Sequence, residues 1–427
     1  MDATPTVLWS TRPHAGYDIN SVAVSADGGL IAAGTFFHDY GAAQPLPPEA
    51  SAQGFAPDAG RKIAERMSPA ATRSDVRDNQ DGRYGTYVWD RTGTLLWAKE
   101  FDGWQGVYWV DVAADGGTVA SCGWKSQDPY AGFIAAWSVP DGDELLAFPL
   151  PGRGNMVSLD AQGRTLLAGA DQGYLFHRDS DRDRHDGFDG PACIALTASG
   201  DSVVATGIAS DGTTGLVASY QGEVVLLRIA QGQPTALARW QLPNAAYTHY
   251  AVLSGDGRRA YTGANDGTLY AFDVAGFLQS PGPAWQVTIP DGAKTIYGLA
   301  CSDDGGTVAI AGNLTQGGIV AVFADEGSRA TLRWTAHSRH SPNCLAFDPR
   351  GRWLALADGR PDGTPGAFYL WNARDGALSW RWPTGNMSWP IRIAGDASVV
   401  VGGSDDGAVT VFAGPGNAGP APRPGAG

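Results

Sequence analysis

Apolar and polar positions along the chain recur in one pattern that is repeated eight times. Each unit has a tight turn centred on glycine, a short apolar run, a small residue six positions after the glycine, and a second apolar run that ends near an aromatic residue. Short apolar runs bounded by glycine are typical of β-strands. The pattern therefore predicts four strands in each unit, which we call a to d, with the glycine turn joining a to b.

The spacing of the turns predicts the fold class. Intervals of 88, 47, 49, 45, 48, 46 and 46 residues separate the eight turn positions, which are Gly28, Gly116, Gly163, Gly212, Gly257, Gly305, Gly351 and Ala397. The small residues that follow them are Gly34, Cys122, Gly169, Ala218, Gly263, Ala311, Ala357 and Gly403. A four-stranded repeat of this period predicts an all-β protein with a single β-propeller. We expect eight four-stranded blades, or seven if the fourth unit, around Gly212, is irregular.

The two ends and one long interval complete the expected organisation. Residues 7–10 match the strand d pattern before the first strand a, so we expect this N-terminal strand to close the ring by completing the last blade. The long interval contains an insertion, residues 37–83, between strands b and c of blade 1, with a short helix expected at residues 57–67. The predicted propeller spans residues 1–413. Residues 414–427 form a Pro/Gly/Ala tail that we expect to be disordered.

Composition and charge restrict the partners and the compartment. The chain has 427 residues and a formal net charge of −14, which disfavours nucleic acid and anionic lipid surfaces as partners. No apolar stretch approaches the length of a membrane span, so we expect a soluble, acidic protein. As given, the chain has no leader, which fits the cytoplasm. A trimmed leader would instead fit a periplasmic or secreted protein, and the oligomeric state is left open.

Two segments resemble known propeller repeats. Residues 88–97, Val-Trp-Asp-Arg-Thr-Gly-Thr-Leu-Leu-Trp, resemble the quinoprotein-like (PQQ-repeat-like) motif, and residues 267–273 are similar to the strand c signature shared by that group and WD40 propellers. The resemblance implies a WD40-like or quinoprotein-like repeat protein. Most members of these groups are binding scaffolds, and a minority are enzymes with a quinone cofactor. The paired neighbouring cysteines of those enzymes are absent here, and Trp89-Asp90 is the only Trp-Asp pair.

The candidate binding residues lie at one face. In this topology the d-to-a and b-to-c loops emerge on the same face, which we call the top. One residue of each strand a is expected to ring the mouth of the central channel: Asn20, Tyr108, Asn155, Val204, His249, Tyr297, Asn343 and Trp389. Tyr17, Trp104 and Tyr250 are expected nearby. A few polar groups among aromatic rings suit a peptide or a small molecule, although aromatic residues in propeller loops can also simply cap the blades.

Two sets of residues are candidate metal ligands. His38, His249, His337 and His340 are predicted on the top face, and a metal would need three or more such ligands around one ion. In the c-to-d turn of blade 3, Asp179, Asp181, Asp183 and Asp186 could supply oxygen ligands to Ca²⁺. The arginines at positions 182 and 184 favour a solvated, self-paired turn instead.

The sequence favours a binding function over catalysis. Gly-x-Ser-x-Gly, Walker and His-Glu-x-x-His motifs are absent from the sequence. Our main hypothesis is a non-catalytic scaffold without a cofactor that binds a protein or peptide partner on the top face. The alternative is an enzyme whose active site lies at the channel mouth, with assistance from a metal bound by the loop histidines.

Overall fold

The computed structural model describes residues 4–14, 17–36, 83–102, 106–127, 130–179, 187–360 and 364–417. Within these residues, 32 strands form eight four-stranded antiparallel blades. Adjacent blades 1 and 2 are further joined by a bridge between Phe36 and Gly106. The eight-bladed propeller predicted from the repeat is confirmed, and the fourth blade is regular.

Each blade runs from strand a at the central channel to strand d at the rim. Blades 1 to 4 comprise β2 (Asp18–Val24), β3 (Leu30–Phe36), β4 (Arg83–Asp90) and β5 (Leu95–Asp102); β6 (Gly106–Val112), β7 (Thr118–Gln127), β8 (Tyr130–Ser138) and β9 (Glu144–Leu150); β10 (Met156–Leu159), β11 (Thr165–Gly169), β12 (Gly173–His177) and β13 (Asp189–Ile194); and β14 (Val203–Ile208), β15 (Thr214–Ser219), β16 (Glu223–Ala230) and β17 (Gln233–Gln241).

Blades 5 to 8 continue the order, and the last takes its outer strand from the N-terminus. They comprise β18 (Thr248–Leu253), β19 (Arg259–Ala264), β20 (Thr268–Asp273) and β21 (Trp285–Thr288); β22 (Ile296–Cys301), β23 (Thr307–Asn313), β24 (Gly318–Asp325) and β25 (Ala330–Ser338); β26 (Pro342–Phe347), β27 (Trp353–Asp358), β28 (Ala367–Asn372) and β29 (Leu378–Pro383); and β30 (Ser388–Ile393), β31 (Val399–Ser404), β32 (Val409–Ala413) and β1 (Val7–Thr11). A short helix, α1 (Val274–Gln279), follows β20, and 3-10 turns lie at Pro243–Ala245, Pro290–Gly292 and Pro415–Asn417.

The N-terminal strand closes the ring as expected. Strand β1 pairs antiparallel with β32, with Val7 opposite Phe412 and Thr11 opposite Val409. This pairing joins the two ends of the propeller in one sheet, so the last blade is completed without a further strand. The first residues of the predicted tail also contact this blade, because the Gly414 and Gly416 N–H groups donate to the carbonyls of Ser398 and Ala397.

The a-to-b turns form a hydrogen-bonded ring at the bottom of the channel. Their seven glycines have φ between +62° and +73°, and Ala397 has φ +58°. Within the described residues, each turn donates one N–H to the next except at blade 7, where the residue at the donor position is Pro349, which has no N–H. The seven bonds are Ala26 to Ala114, Asp115 to Ala161, Ala161 to Ser210, Ser210 to Gly255, Asp256 to Asp303, Asp303 to Pro349 and Asp396 to Ala26.

The small residues of strand b allow adjacent blades to approach closely. A Cβ atom on Gly34 would lie 2.5 Å from Val107 Cγ1, and one on Gly263 would lie 2.5 Å from Ile296 Cγ2. Both neighbours belong to strand a of the next blade, and real Cβ atoms do not come so near. The reason proposed for the pattern, close contact between consecutive blades, is therefore confirmed at these positions.

At the rim, strand d tryptophans lie on glycines of the next blade's c-to-d turn. The pairs are Trp9 on Gly93, Trp97 on Gly142 and Trp334 on Gly376. The indole N–H of Trp9 also donates to Arg91 O at 3.0 Å, and that of Trp334 donates to Ala373 O at 2.8 Å. These contacts fix the outer edges of the blades, so the residues near the axis are held in a rigid frame.

Strands β3 and β4 of blade 1 flank residues 37–82, which lie outside the described residues. In the part of the chain that the structure describes, no helix is both long and apolar enough to cross a membrane.

Candidate functional site

The residues predicted to ring the channel mouth share one structural position. In seven blades they interrupt the pairing of strand a with strand b: the register breaks at Asn20, Tyr108, Val204, His249, Tyr297, Asn343 and Trp389. In blade 3, Asn155 immediately precedes β10, and its N–H donates to Gly169 O at 2.8 Å. A β-bulge leaves one residue out of the ladder and redirects its side chain. The fold therefore brings all eight residues to the same level.

The three asparagines of this ring bind the neighbouring blades. Asn20 Nδ2 donates to Tyr108 O at 2.6 Å, Asn155 Nδ2 donates to Val203 O at 2.7 Å, and Asn343 Nδ2 donates to Ser388 O at 2.8 Å. All three are buried. The acceptor for Asn20 is the ring residue of the next blade, Tyr108. The acceptors for Asn155 and Asn343 are the first residues of strand a in the next blade. These amides contribute hydrogen bonds between blades at the mouth.

Four aromatic side chains form a continuous cluster across blades 4 to 6, which we call the aromatic arc: Tyr220, Tyr247, His249 and Tyr297. The rings of His249 and Tyr297 stack at 5.3 Å, and Tyr247 meets His249 edge-on at 5.3 Å. Tyr220 stacks on Tyr247 at 5.2 Å, and burial, with a smaller contribution from Tyr247, raises the pKa of Tyr220 to about 12. Tyr247, His249 and Tyr297 remain partly exposed. The arc is therefore a packed aromatic surface at the channel mouth.

A second aromatic group lies on blades 1 to 3. Tyr108 packs edge-on against Phe36 at 5.8 Å, and the guanidinium of Arg153 lies over the rings of Tyr108 at 4.5 Å and Trp124 at 4.8 Å. Cation–π contacts of this kind hold the arginine against the mouth. Elsewhere on the ring, Trp389 is partly exposed, whereas Tyr17 is buried and meets the His14 ring at 4.6 Å. Trp104 lies outside the described residues.

Tyr250 crosses the channel instead of lining its mouth. Its hydroxyl donates to Asn343 O at 3.2 Å, from blade 5 to blade 7, and burial raises its pKa above the ordinary value. In the same region the guanidinium of Arg392 lies 5.1 Å from the Trp109 ring centroid, from blade 8 to blade 2. Side chains from non-adjacent blades therefore meet near the axis.

An aspartate also lies on an inner strand. Asp111, on β6, accepts hydrogen bonds from Leu159 N at 2.8 Å and from its neighbour Val112 N at 2.9 Å. Burial raises the pKa of Asp111 to about 6, and these two bonds and the positive charge of Arg392 only partly oppose the rise. The side chain is therefore poised to titrate close to neutral pH.

The three predicted histidine ligands that the structure describes do not form a group around one ion. His249 lies within the aromatic arc, and His337, near the end of β25, pairs with Asp291 at 3.7 Å. His340 is buried in the following loop, where its backbone N–H donates to Asp358 at 3.1 Å. His38 lies outside the described residues. Among the residues that are described, no three His, Cys, Asp or Glu side chains are grouped so as to hold a metal.

The acidic turn of blade 3 lies between β12 and β13, as predicted. Asp179 is exposed and its carboxylate lies 4.0 Å from His177 Nε2. Asp181, Asp183 and Asp186 lie outside the described residues, so the calcium site stays a prediction.

Sequence reasoning missed Asp111 and Arg392, which are charged residues on the innermost strands. Three positions beyond the ring, the same register gives Ala23, Asp111, Ser158, Gly207, Val252, Ala300, Ala346 and Arg392. Only Asp111 and Arg392 are charged. Counting three residues further along each strand a would have identified both.

The fold is similar to those of solved β-propellers. The β-propeller domain of Cps50 (Swd1) from Myceliophteria thermophila is 17% identical, with a TM-score of 0.52 over 71% of this chain and 95% of that chain. Sqt1 from Saccharomyces cerevisiae is 11% identical, with a TM-score of 0.65 over 96% of this chain and 99% of that chain. No family model and no curated protein matches the chain. The WD40-like propeller fold is thereby confirmed, while the quinoprotein-like part of the resemblance stays a prediction.

Proposed function

We propose that this protein is a non-catalytic scaffold that binds a protein or peptide partner on its top face. The observation that carries the proposal is the aromatic arc, because it brings three partly exposed rings from two adjacent blades together beside the channel mouth. Tyrosine rings offer large contact area with little loss of side-chain entropy, and they are enriched at protein interfaces. The arc thus has the chemistry of a partner-binding surface.

The frame around the arc favours binding without rearrangement. The bulges of strand a hold the ring residues at one level. Two of these residues, Asn155 and Asn343, donate amide hydrogen bonds to the next blade. A preorganised surface loses less entropy on association. Tyr108 and Trp389 extend the same mouth toward the other blades, so a partner could contact several blades at once.

Selection of peptides from a displayed random library on the immobilised protein tests the proposal. Affinities of the selected peptides are then measured by fluorescence anisotropy for His249→Ala and Tyr297→Ala. Truncation of a central aromatic contact typically weakens binding by about 2 kcal/mol or more, which is about thirtyfold. Matched controls are Leu237→Ala and Leu332→Ala, which remove leucines that are 41% and 46% exposed on outer strands d of blades 4 and 6.

The outcomes separate the top face from the rim. Loss of binding in the two arc variants, with both leucine controls unchanged and all variants equally folded by circular dichroism, would support the proposal. Equal binding by all four variants would refute it. Turnover of a substrate that is abolished by His249→Ala would instead favour an enzyme.

A further inference from the structure

Arg392 lies inside the channel, away from the arc. It is the third residue inward from Trp389 on β30, which places it about 10 Å below the mouth at the usual rise of a strand. Its side chain is only partly buried, so solvent reaches it. Nη1 donates to Cys344 Sγ at 3.1 Å and to Ile391 O at 2.8 Å, while the guanidinium plane lies over Trp109.

This guanidinium forms no close ion pair with a described carboxylate, although Asp111 is near enough for the charge of Arg392 to lower its pKa. No described carboxylate lies within 4.0 Å of it, and neither Nε nor Nη2 donates a hydrogen bond to a described residue. Asp111, at the same level of blade 2, directs its two oxygens to the backbone N–H groups of Val112 and Leu159. A partly desolvated charge is costly until an opposite charge pairs with it.

The remaining donors of Arg392, Nε and Nη2, define the chemistry of a ligand that would suit it. An arginine presents its N–H groups in a planar fork, and the fork matches the two oxygens of a carboxylate. The contacts with Trp109 and Cys344 fix the guanidinium from one side, so the fork is held in place before a ligand arrives. Aromatic walls also lower the local dielectric, which strengthens a charge pair.

We propose that the central channel binds a carboxylate through Arg392. This inference rests on the proposed function, since we assign the carboxylate to the peptide partner, as an acidic side chain or a chain end that enters the channel from the top face. A small organic acid would offer the same chemistry, and the experiment distinguishes the two sources.

The test compares Arg392→Gln and Arg392→Lys with the wild-type protein, using the peptides selected on the wild type. Arg392→Gln should weaken binding at least tenfold, and Arg392→Lys, which keeps the charge but loses the fork, should recover only part of it. Replacing the acidic residues of the peptide by their amides, or amidating its C-terminus, should weaken binding to the wild type but not to Arg392→Gln. Arg374→Gln, an exposed arginine on the rim, is the matched control.

A second arm uses malonate alone. The rise in Tm on adding sodium malonate, against sodium chloride of equal ionic strength, is measured for the wild type and Arg392→Gln. If Tm rises only for the wild type and the library selection yields no peptide, the carboxylate site is supported and its ligand is a small acid. The same result would refute the peptide scaffold. Peptides that need His249 yet bind Arg392→Gln within twofold would overturn the channel site and leave the scaffold intact. If Arg392→Gln changes neither the affinity for the peptides nor the rise in Tm with malonate, the channel site would also be overturned.

Discussion

Replacing Gly263 by alanine should force blades 5 and 6 apart. The new Cβ would lie 2.5 Å from Ile296 Cγ2 and 2.8 Å from Ile296 Cβ, whereas apolar carbons normally rest about 3.5–4.0 Å apart. Ile296 is fully buried and branched at Cβ, so rotation about χ1 offers little relief. Overpacking of this kind typically costs about 1–3 kcal/mol, and the stiffer unfolded chain offsets about 0.4–1 kcal/mol. We expect a net loss of about 1–2 kcal/mol in the free energy of unfolding.

Urea denaturation followed by tryptophan fluorescence measures this loss. Gly282→Ala is the matched control, because a Cβ there would meet nothing within 4 Å, and its stability should stay within about 0.5 kcal/mol of the wild type. The double variant Gly263→Ala/Ile296→Ala should be more stable than the sum of the single losses predicts, since the new methyl fills space left by the isoleucine. Equal stability of Gly263→Ala and the control would refute the close-approach explanation of the small residues.

Two further predictions concern buried carboxylates. Asp325→Ala should lower the free energy of unfolding by about 3–5 kcal/mol, because the buried Arg259 guanidinium donates to Asp325 from Nε at 2.9 Å and would keep only the half-exposed Asp273, at 3.9 Å, as a counter-ion. Urea denaturation tests this, with the exposed Asp375→Ala as control; losses of equal size would contradict it. Asp111 binds its proton more tightly in the folded state, so its contribution to stability should fall by about 2–3 kcal/mol as pH rises from about 4 to about 6. Asp111→Asn should make the slope of the urea midpoints across this range less steep, and an unchanged slope would show that other groups cause it.

Several features of the fold could be predicted from the sequence because they repeat. The turn glycines, the small residues of strand b and the tryptophans of strand d all serve contacts within a blade or between consecutive blades. Each blade touches its neighbours in the same way, so the same residue type recurs at the same interval. Gly263 against Ile296 and Trp334 on Gly376 are two instances of this regular contact.

The level of the mouth residues could also be predicted, since counting back from the turn gives the same register in every blade. The separate roles of these residues could not be predicted from the sequence. Asn155 and Asn343 turn their amides to the next blade, whereas His249 and Tyr297 pack in the aromatic arc. Which of these occurs depends on the side chains opposite, and those lie on another blade.

Only the tertiary structure decided what meets inside the channel. Tyr250 reaches Asn343 O from two blades away, and Arg392 of blade 8 reaches Trp109 of blade 2 across the closure of the ring. Such contacts do not repeat, so no interval in the sequence reports them. The repeat determined the eight-bladed frame through local and nearest-neighbour packing, and the closed ring then brought together the few side chains long enough to cross its axis.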